Sequence, residues 1–174
     1  MTIHSEHPFR DADPDPVRRL RGRVGGAVTL WTAGGSARGT DGNAGLTVSS
    51  LMVANGHPAH VVALIDPDSD LADALVREGR AVVQLLSWRH RQLAEVFADT
   101  APAPGGKFAQ AGFTDTDWGP RLADATTWVG VSLTESRELG WSLLVTCQLE
   151  HVEVGDDDEP LVHRRGRFVA PGTS

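Results

Sequence analysis

The sequence predicts a mostly β fold with a few helices, in which the strands are largely antiparallel. Short apolar segments bounded by glycine, proline and aspartate recur along the chain, the usual pattern of strands joined by turns. Segments with the i, i+3, i+4 spacing of amphipathic helices lie between some of these strands. Because the two kinds of segment do not alternate regularly, an antiparallel barrel or sandwich is favoured over a doubly wound sheet.

The first predicted elements are a short basic helix and a hairpin. Asp15 is placed to cap a helix that has Pro16 at its first position and residues 17 to 22 as its body. Two apolar segments, AVTLWTA at 27 to 33 and LTVSSLMVA at 46 to 54, flank a turn-rich loop. They predict the two strands of a hairpin with a long connection.

A strand and a surface helix follow. HVVALI at 60 to 65 is a continuous apolar run, which predicts a central strand buried on both faces. Asp68 or Ser69 can then cap the segment DLADALVRE at 70 to 78. Gly79 stands where a helix-terminating glycine is expected.

The strand and helix pattern repeats once before a long loop. RAVVQLL at 80 to 86 predicts a strand, and Ser87 is placed to cap a packed helix over residues 88 to 99. Residues 100 to 124 are rich in glycine, proline and aspartate but carry three aromatic side chains. They predict a long loop with aromatic anchors, and such loops often have a function.

Three apolar segments close the chain as predicted strands, at 126 to 133, 142 to 154 and 160 to 170. The last contains the basic run HRRGR at 163 to 167. In a strand, Arg164 and Arg165 point to opposite faces, so this run is interpreted as the solvated charge of an edge strand.

Composition narrows the class of protein. The formal net charge of -7 opposes non-specific binding to nucleic acid, which depends on neutralising phosphates. Cys147 is the only cysteine, and no apolar segment has the length of a signal peptide core or a membrane span. We therefore expect a cytoplasmic protein that binds a small molecule, with no nucleic acid or membrane partner.

Residues 1 to 14 are polar and acidic and predict a flexible arm before one domain at 15 to 170.

Several catalytic motifs are missing from the sequence. No GxGxxG follows a strand, no P-loop signature is present, and no GxSxG surrounds a serine. His57 and His60 have no third metal ligand near them in sequence, and Pro58 prevents a helix that would align them. Composition and spacing alone therefore assign no catalytic residue and no metal site.

The segment from Gly45 to Ala98 resembles the flavin reductase-like family of the FMN-binding split-barrel fold. It carries a GLTVSS strand, a second strand after a proline, a polar turn with a serine, and a strand that ends in a leucine-serine helix cap, in that order. The aromatic loop KFAQAGFTDTDWGPRLADA is also similar. The resemblance implies an antiparallel split β-barrel, a homodimer, FMN or FAD as flavin, and NAD(P)H as hydride donor. It also implies a partner monooxygenase that receives reduced flavin.

The same resemblance implies three groups of cofactor-binding residues. The first would lie along the isoalloxazine ring, the second matches the turn that meets the ribityl phosphate, and the third begins the helix that borders the flavin. In order, these are Thr47, Val48, Ser49 and Ser50; Asp66, Pro67, Asp68 and Ser69; and Trp88, Arg89 and His90.

The chain departs from the family pattern at three places. His90 stands where the family usually has glutamine, and acids occupy the turn where a basic residue is frequent. Gly140, Trp141 and Ser142 replace the frequent Gly-Asp-His before the penultimate strand. An NAD(P)H:flavin oxidoreductase is therefore the leading hypothesis. The alternative is a flavin- or haem-binding module for storage, sensing or electron transfer, and a deazaflavin or pyridoxal-type ligand is a third option.

Overall fold

The computed structural model describes residues 16 to 35, 42 to 156 and 159 to 172. The predicted arm at 1 to 14 lies outside these residues. The helices are α1 (Pro16–Val24), α2 (Asp70–Glu78) and α3 (Arg91–Phe97). The strands are β1 (Gly26–Ala27), β2 (Thr29–Ala33), β3 (Ala44–Val48), β4 (Leu51–Ala54), β5 (His60–Ile65), β6 (Arg80–Leu85), β7 (Phe113–Thr116), β8 (Gly119–Leu122), β9 (Trp128–Leu139), β10 (Ser142–Glu153), β11 (Val162–Arg164) and β12 (Arg167–Val169).

A seven-stranded antiparallel sheet in the order β3-β2-β6-β9-β10-β5-β4 forms the body of the protein. Its two edge strands, β3 and β4, are joined in sequence by only Ser49 and Ser50. The sheet must therefore curl until its edges meet, and the Leu64 amide donates to the Ser50 carbonyl at 3.0 Å near this junction. The predicted mostly β, antiparallel barrel is confirmed.

The core lies inside the curled sheet and is covered by α2. Trp31, Leu71 and Leu75 are completely buried there. Removing a buried tryptophan or leucine side chain typically costs about 2 to 5 kcal/mol. The predicted limits of α2 are confirmed, because the Ala72 amide donates to Ser69 Oγ at 3.2 Å and Gly79 has a φ of 71°.

A second apolar cluster packs α3 against the segment that follows it. Phe97 makes edge-to-face contacts with Phe108 and Phe113, at ring-centroid distances of 5.2 and 6.1 Å. The predicted aromatic anchors of the loop over 100 to 124 are present, but the segment is not all loop, because it contains the hairpin of β7 and β8. The polar and glycine-rich composition of this segment does not predict strands, because the short strand pair is stabilised by packing against α3.

Three other strand predictions need correction. The segment 46 to 54 is not one strand, since β3 ends at Val48 and β4 starts at Leu51 on the opposite edge of the sheet. The segment 60 to 65 is not buried on both faces, because Val61, Ala63 and Ile65 point inward while the intervening residues are partly exposed. The run at 160 to 170 is a hairpin of β11 and β12, which joins β1 in a small separate sheet.

No helix among the described residues is long and apolar enough to cross a membrane.

Candidate functional site

A cleft of about 610 Å³ lies between the end of β3, the start of α3 and the β11–β12 hairpin. We call it the Trp88 cleft. Its volume is in the range of roughly 300 to 1,000 Å³ that is usual for small-molecule sites. It is lined by Val28, Thr47, Ser49, Trp88, Arg91, Glu95, Ala98, Thr100, His163, Gly166, Arg167 and Phe168.

Hydrogen bonds hold the β3 wall of this cleft in place. Thr47 Oγ1 donates to the Ala94 carbonyl of α3 at 2.7 Å, and Thr29 Oγ1 donates to the Val48 carbonyl at 2.6 Å. A Cβ atom on Gly26 would lie 3.0 Å from the Ser49 carbonyl oxygen, so glycine allows β1 to approach this segment closely. These contacts hold the end of β3 against α3, β2 and β1.

Trp88 and Arg91 form the opposite wall. The Trp88 amide donates to the Glu159 carbonyl at 2.8 Å, which fixes the backbone at this point. The guanidinium of Arg91 lies 5.0 Å from the centroid of the Trp88 ring, and its Nη1 donates to the Trp88 carbonyl at 3.3 Å. This arrangement places a cation on an indole face, a favourable contact.

The β11–β12 hairpin supplies the third wall, which the sequence interpretation missed. Arg165 and Gly166 form the turn, with φ values of 53° and 73°. Arg165 therefore lies in a turn and not in an extended strand, and the turn brings Gly166, Arg167 and Phe168 to the cleft. The interpretation of HRRGR as solvated charge on an edge strand holds for Arg167, which is exposed and lies in β12 at the edge of the small sheet, but Arg167 also lines the cleft. The sequence signal for this hairpin is the pair Arg165-Gly166, which stands as a two-residue turn between the segments LVHR and RFVA.

The cleft is positively charged in an acidic protein. Arg91 and Arg167 contribute guanidinium groups, and neither has an ion-pair partner within the described part of the chain. Glu95 is the one carboxylate among the lining residues. Unpaired guanidinium groups at the rim of an apolar cleft can make bidentate contacts with a phosphate.

The structure brings together only part of the predicted site. Thr47, Ser49 and Trp88 line one cleft, whereas Val48 is buried beneath it with 3% of its surface exposed. Ser50 lies beyond the cleft, where its Oγ donates to the Leu64 carbonyl at 2.7 Å.

The predicted phosphate turn, Asp66 to Ser69, follows β5 and does not line the Trp88 cleft. Its polar groups are largely used within the turn. The Asp68 amide donates to Asp66 Oδ1 at 2.9 Å, and Ser69 Oγ donates to the Asp66 carbonyl at 2.7 Å. Ser69 Oγ also accepts the Ala72 amide, so this hydroxyl has its donor and one acceptor position occupied.

Arg89 and His90 face away from the Trp88 cleft. His90 is 8% exposed, and its Nδ1 accepts the Ser87 amide at 3.1 Å. Its Nε2 lies 3.1 Å from Asp124 Oδ2, and Arg89 Nε lies 3.3 Å from the same oxygen. Burial opposes ionisation of Asp124, but the hydrogen bond and charge of His90, together with Arg89, hold the pKa of Asp124 below its ordinary value. We call these three residues the Asp124 network.

The chemistry of the Trp88 cleft suits a flat heterocycle that carries a phosphate. Val28, Trp88 and Phe168 offer apolar and aromatic surface. Ser49 offers a hydroxyl and main-chain groups at the edge of that surface, and the Thr47 hydroxyl, which donates to Ala94, can still accept a hydrogen bond there. The two arginines give a place for the anion. None of the lining residues is a cysteine, and within the described residues no group of three side chains is placed to hold a metal ion.

Comparisons with known proteins identify the family of this chain. The family model described as flavin reductase like domain matches residues 21 to 172. The chain is 26% identical over 141 residues to FMN reductase (NADH) RutF of Bradyrhizobium diazoefficiens, covering 81% of this chain and 76% of the relative. It is 24% identical over 152 residues to the 4-hydroxyphenylacetate 3-monooxygenase reductase component of Pseudomonas aeruginosa, covering 84% and 85%.

A solved structure has the same fold. The NADH:FAD oxidoreductase SgcE6 of Streptomyces globisporus C-1027, in complex with NAD and FAD fragments, superposes with a TM-score of 0.78 at 21% identity. The superposition covers 95% of this chain and 99% of the other. Since the family model spans nearly the whole described chain, the protein belongs to the flavin reductase-like domain family.

Proposed function

We propose that this protein is an NAD(P)H:flavin oxidoreductase that binds FMN, or alternatively FAD, in the Trp88 cleft. The observation that carries the proposal is the convergence in one cleft of Thr47 and Ser49 with an aromatic wall and two arginines that have no ion pair within the described residues. Family membership and the names of the two relatives support the same activity.

The protein's part in the reaction is orientation. A bound flavin supplies the redox chemistry by accepting a hydride equivalent from the nicotinamide. Ser49 presents its hydroxyl and main-chain groups along the ring edge, Thr47 Oγ1 can accept a hydrogen bond there, and the end of β3 is held by bonds to α3 and β2. Preorganised contacts of this kind reduce the entropy lost on forming the reactive arrangement. No side chain needs to act as an acid or base on the ring.

We place the flavin phosphate at Arg91 and Arg167, at the basic end of the cleft. The alternative position is the turn Asp66 to Ser69. This turn carries two carboxylates, and its serine hydroxyl is already hydrogen-bonded to main-chain groups of Asp66 and Ala72. A carboxylate next to a phosphate costs on the order of a few kcal/mol at an effective dielectric of 20. The arginines therefore offer the more favourable anion site.

We also propose that the protein is a homodimer. The sheet edge at β4 and β5 exposes Met52, Val53 and Leu64, with 71%, 64% and 37% of their surfaces accessible. An exposed edge strand with apolar side chains is a template for pairing with another chain. A second copy would cover this surface, and a monomer in sedimentation equilibrium at micromolar concentration would contradict the proposal.

A partner monooxygenase that takes up reduced flavin is a further part of the proposal. It is supported by the relative from Pseudomonas aeruginosa, which is named as the reductase component of a monooxygenase. A cytoplasmic location stays a prediction from the sequence.

A direct test combines flavin binding with turnover. Purified protein is titrated with FMN, FAD and riboflavin while flavin fluorescence is followed, and NADH or NADPH oxidation is then measured with each flavin. We expect saturable binding and flavin-dependent oxidation of the nicotinamide. Tight flavin binding without any turnover would favour the non-catalytic binding module, and no binding of any flavin would refute the proposed site.

A further inference from the structure

Glu95 is a carboxylate without a partner in a basic cleft. It is exposed and lines the Trp88 cleft together with Arg91 and Arg167. Its carboxylate makes no hydrogen bond or ion pair with any residue that the structure describes. A carboxylate beside the proposed phosphate site also disfavours an anion there. Neither an ion pair on α3 nor the binding of a phosphate therefore accounts for Glu95.

The main chain is held on both sides of Glu95. Thr47 Oγ1 donates to the Ala94 carbonyl at 2.7 Å, which ties this turn of α3 to the end of β3. The Thr100 amide and Thr100 Oγ1 both donate to the Glu95 carbonyl, each at 3.0 Å. The Glu95 side chain therefore starts from a fixed point in the wall of the cleft.

Helix geometry places Glu95 between the two ends proposed for the flavin. Arg91 and Glu95 are four residues apart in α3, so their Cβ atoms lie about 5 to 6 Å apart on one side of the helix. On its other side, Glu95 follows Ala94, whose carbonyl contacts the Thr47 hydroxyl. Glu95 thus lies about one helical turn from the proposed phosphate position and next to the proposed ring position.

We propose that Glu95 accepts hydrogen bonds from the ribityl hydroxyl groups of the bound flavin. This inference rests on the proposed function, in which the phosphate lies at Arg91 and Arg167 and the ring extends along Thr47 and Ser49. The ribityl chain joins these two parts and offers several hydroxyl donors. An ionised carboxylate only accepts hydrogen bonds, whereas a guanidinium group only donates them. Glu95 therefore complements the ribityl chain, as the arginines complement the phosphate.

The charge of Glu95 has opposite effects on the two parts of FMN. It strengthens hydrogen bonds from the hydroxyl groups, because a bond to an ionised acceptor is stronger than one between neutral groups. It also repels the phosphate about one helical turn away. Removing the charge should therefore weaken riboflavin binding more than FMN binding, because riboflavin has the hydroxyl groups without the phosphate. Lumiflavin, which has a methyl group in place of the ribityl chain, should not respond.

Fluorescence titration of wild-type protein and Glu95→Gln with riboflavin, FMN and lumiflavin tests this assignment without turnover. We expect the riboflavin affinity of Glu95→Gln to fall roughly tenfold, as is typical for the loss of a hydrogen bond to a charged group. FMN affinity should fall by a smaller factor, and lumiflavin affinity should stay within about twofold of the wild-type value. Glu135→Gln, the same change at an exposed position of β9, is the matched control and should bind all three flavins normally.

Other patterns of affinity would overturn the assignment. Tighter FMN binding with unchanged riboflavin binding would mean that Glu95 acts on the phosphate alone. An equal loss for all three flavins, with lumiflavin included, would mean that the substitution disturbs the ring site or the fold. Circular dichroism of Glu95→Gln and Glu135→Gln separates these last two causes, and either of them contradicts ribityl binding by Glu95.

The two proposals can fail separately. If wild-type protein binds none of the three flavins, the proposed function is refuted and the role of Glu95 with it. If wild-type protein binds riboflavin and Glu95→Gln binds it with the same affinity, only the role of Glu95 is refuted.

Discussion

Two sides of one short segment, residues 88 to 91, differ in whether their side chains already have partners. Trp88 and Arg91 face the Trp88 cleft, and the arginine has no carboxylate partner among the described residues. Arg89 and His90 face the other way, and both contact the Asp124 carboxylate. Neighbours in sequence thus belong to the proposed binding cleft and to the Asp124 network.

The difference shows how to separate binding residues from structural ones in this protein. His90 is buried, and a buried polar group that loses its partner costs about 1 to 3 kcal/mol, so turning His90 toward a ligand is unfavourable. Within the described part of the chain, Arg91 and Arg167 have no ion pair to lose, although Arg91 donates to the neighbouring Trp88 carbonyl at 3.3 Å. The predicted roles of Arg89 and His90 in flavin binding stay untested, but their partners favour a structural role.

The largest expected effect comes from filling the cleft. Ser49→Trp places an indole in the proposed ring site, and we expect FMN affinity to fall at least roughly 100-fold, equivalent to about 2.7 kcal/mol. Ser136→Trp, the same change at an exposed position of β9, is the matched control and should bind FMN normally. Circular dichroism checks that both variants are folded, and unchanged FMN affinity in folded Ser49→Trp would remove this cleft as the flavin site.

A second effect contrasts the arginines on the two sides. Arg91→Gln and Arg167→Gln should each weaken FMN binding roughly tenfold or more, because a hydrogen bond to a charged group is worth about 1.5 to 3 kcal/mol. Riboflavin has no phosphate, so its affinity should change little. Arg89→Gln is the control and should leave the affinities of both flavins unchanged. A selective loss of FMN binding in Arg89→Gln would reverse the assignment of the two sides.

The third effect concerns stability on the network side. Asp124→Asn should lower the free energy of unfolding at neutral pH by about 1 kcal/mol or less, since the Asp124 side chain is 56% exposed and solvent screens it. Because the pKa of Asp124 is depressed in the folded protein, its contribution is present above the ordinary value of 3.8 and is lost as pH falls through the lower folded value. Urea unfolding of both proteins at neutral and acidic pH measures this difference, and a gap that grows toward acid would contradict the network.

The smallest expected effect tests the turn at the other end of the site. If the phosphate lies at the arginines, Asp68→Asn should change FMN and riboflavin affinities by less than about twofold and by the same factor. Fluorescence titration at one salt concentration is the measurement. Selective tightening of FMN would place the phosphate at the turn Asp66 to Ser69, as the family resemblance implies.

Much of the fold follows from local pattern in the sequence. The limits of α2 depend on Ser69 and Gly79, whose cap geometry is a property of a few neighbouring residues. The GLTVSS segment and its spacing to the following strands were enough to imply the family, and the family model confirms it. Signals of this kind are readable because each depends on residues that are close in the chain.

Only the tertiary structure decided which residues share a cleft. The break at Ser49 and Ser50 sends β3 and β4 to opposite edges of the sheet, and this follows from closure of the barrel, not from a local signal. Arg167 and Thr47 are far apart in sequence, and they meet only because the small sheet of β11 and β12 packs beside the end of β3. In the sequence, residues 88 to 91 all belong to one helix start. In the structure, Arg89 and His90 contact Asp124, whereas Trp88 and Arg91 face the β11–β12 hairpin across the cleft. These contacts depend on long-range packing, which composition and local spacing do not predict.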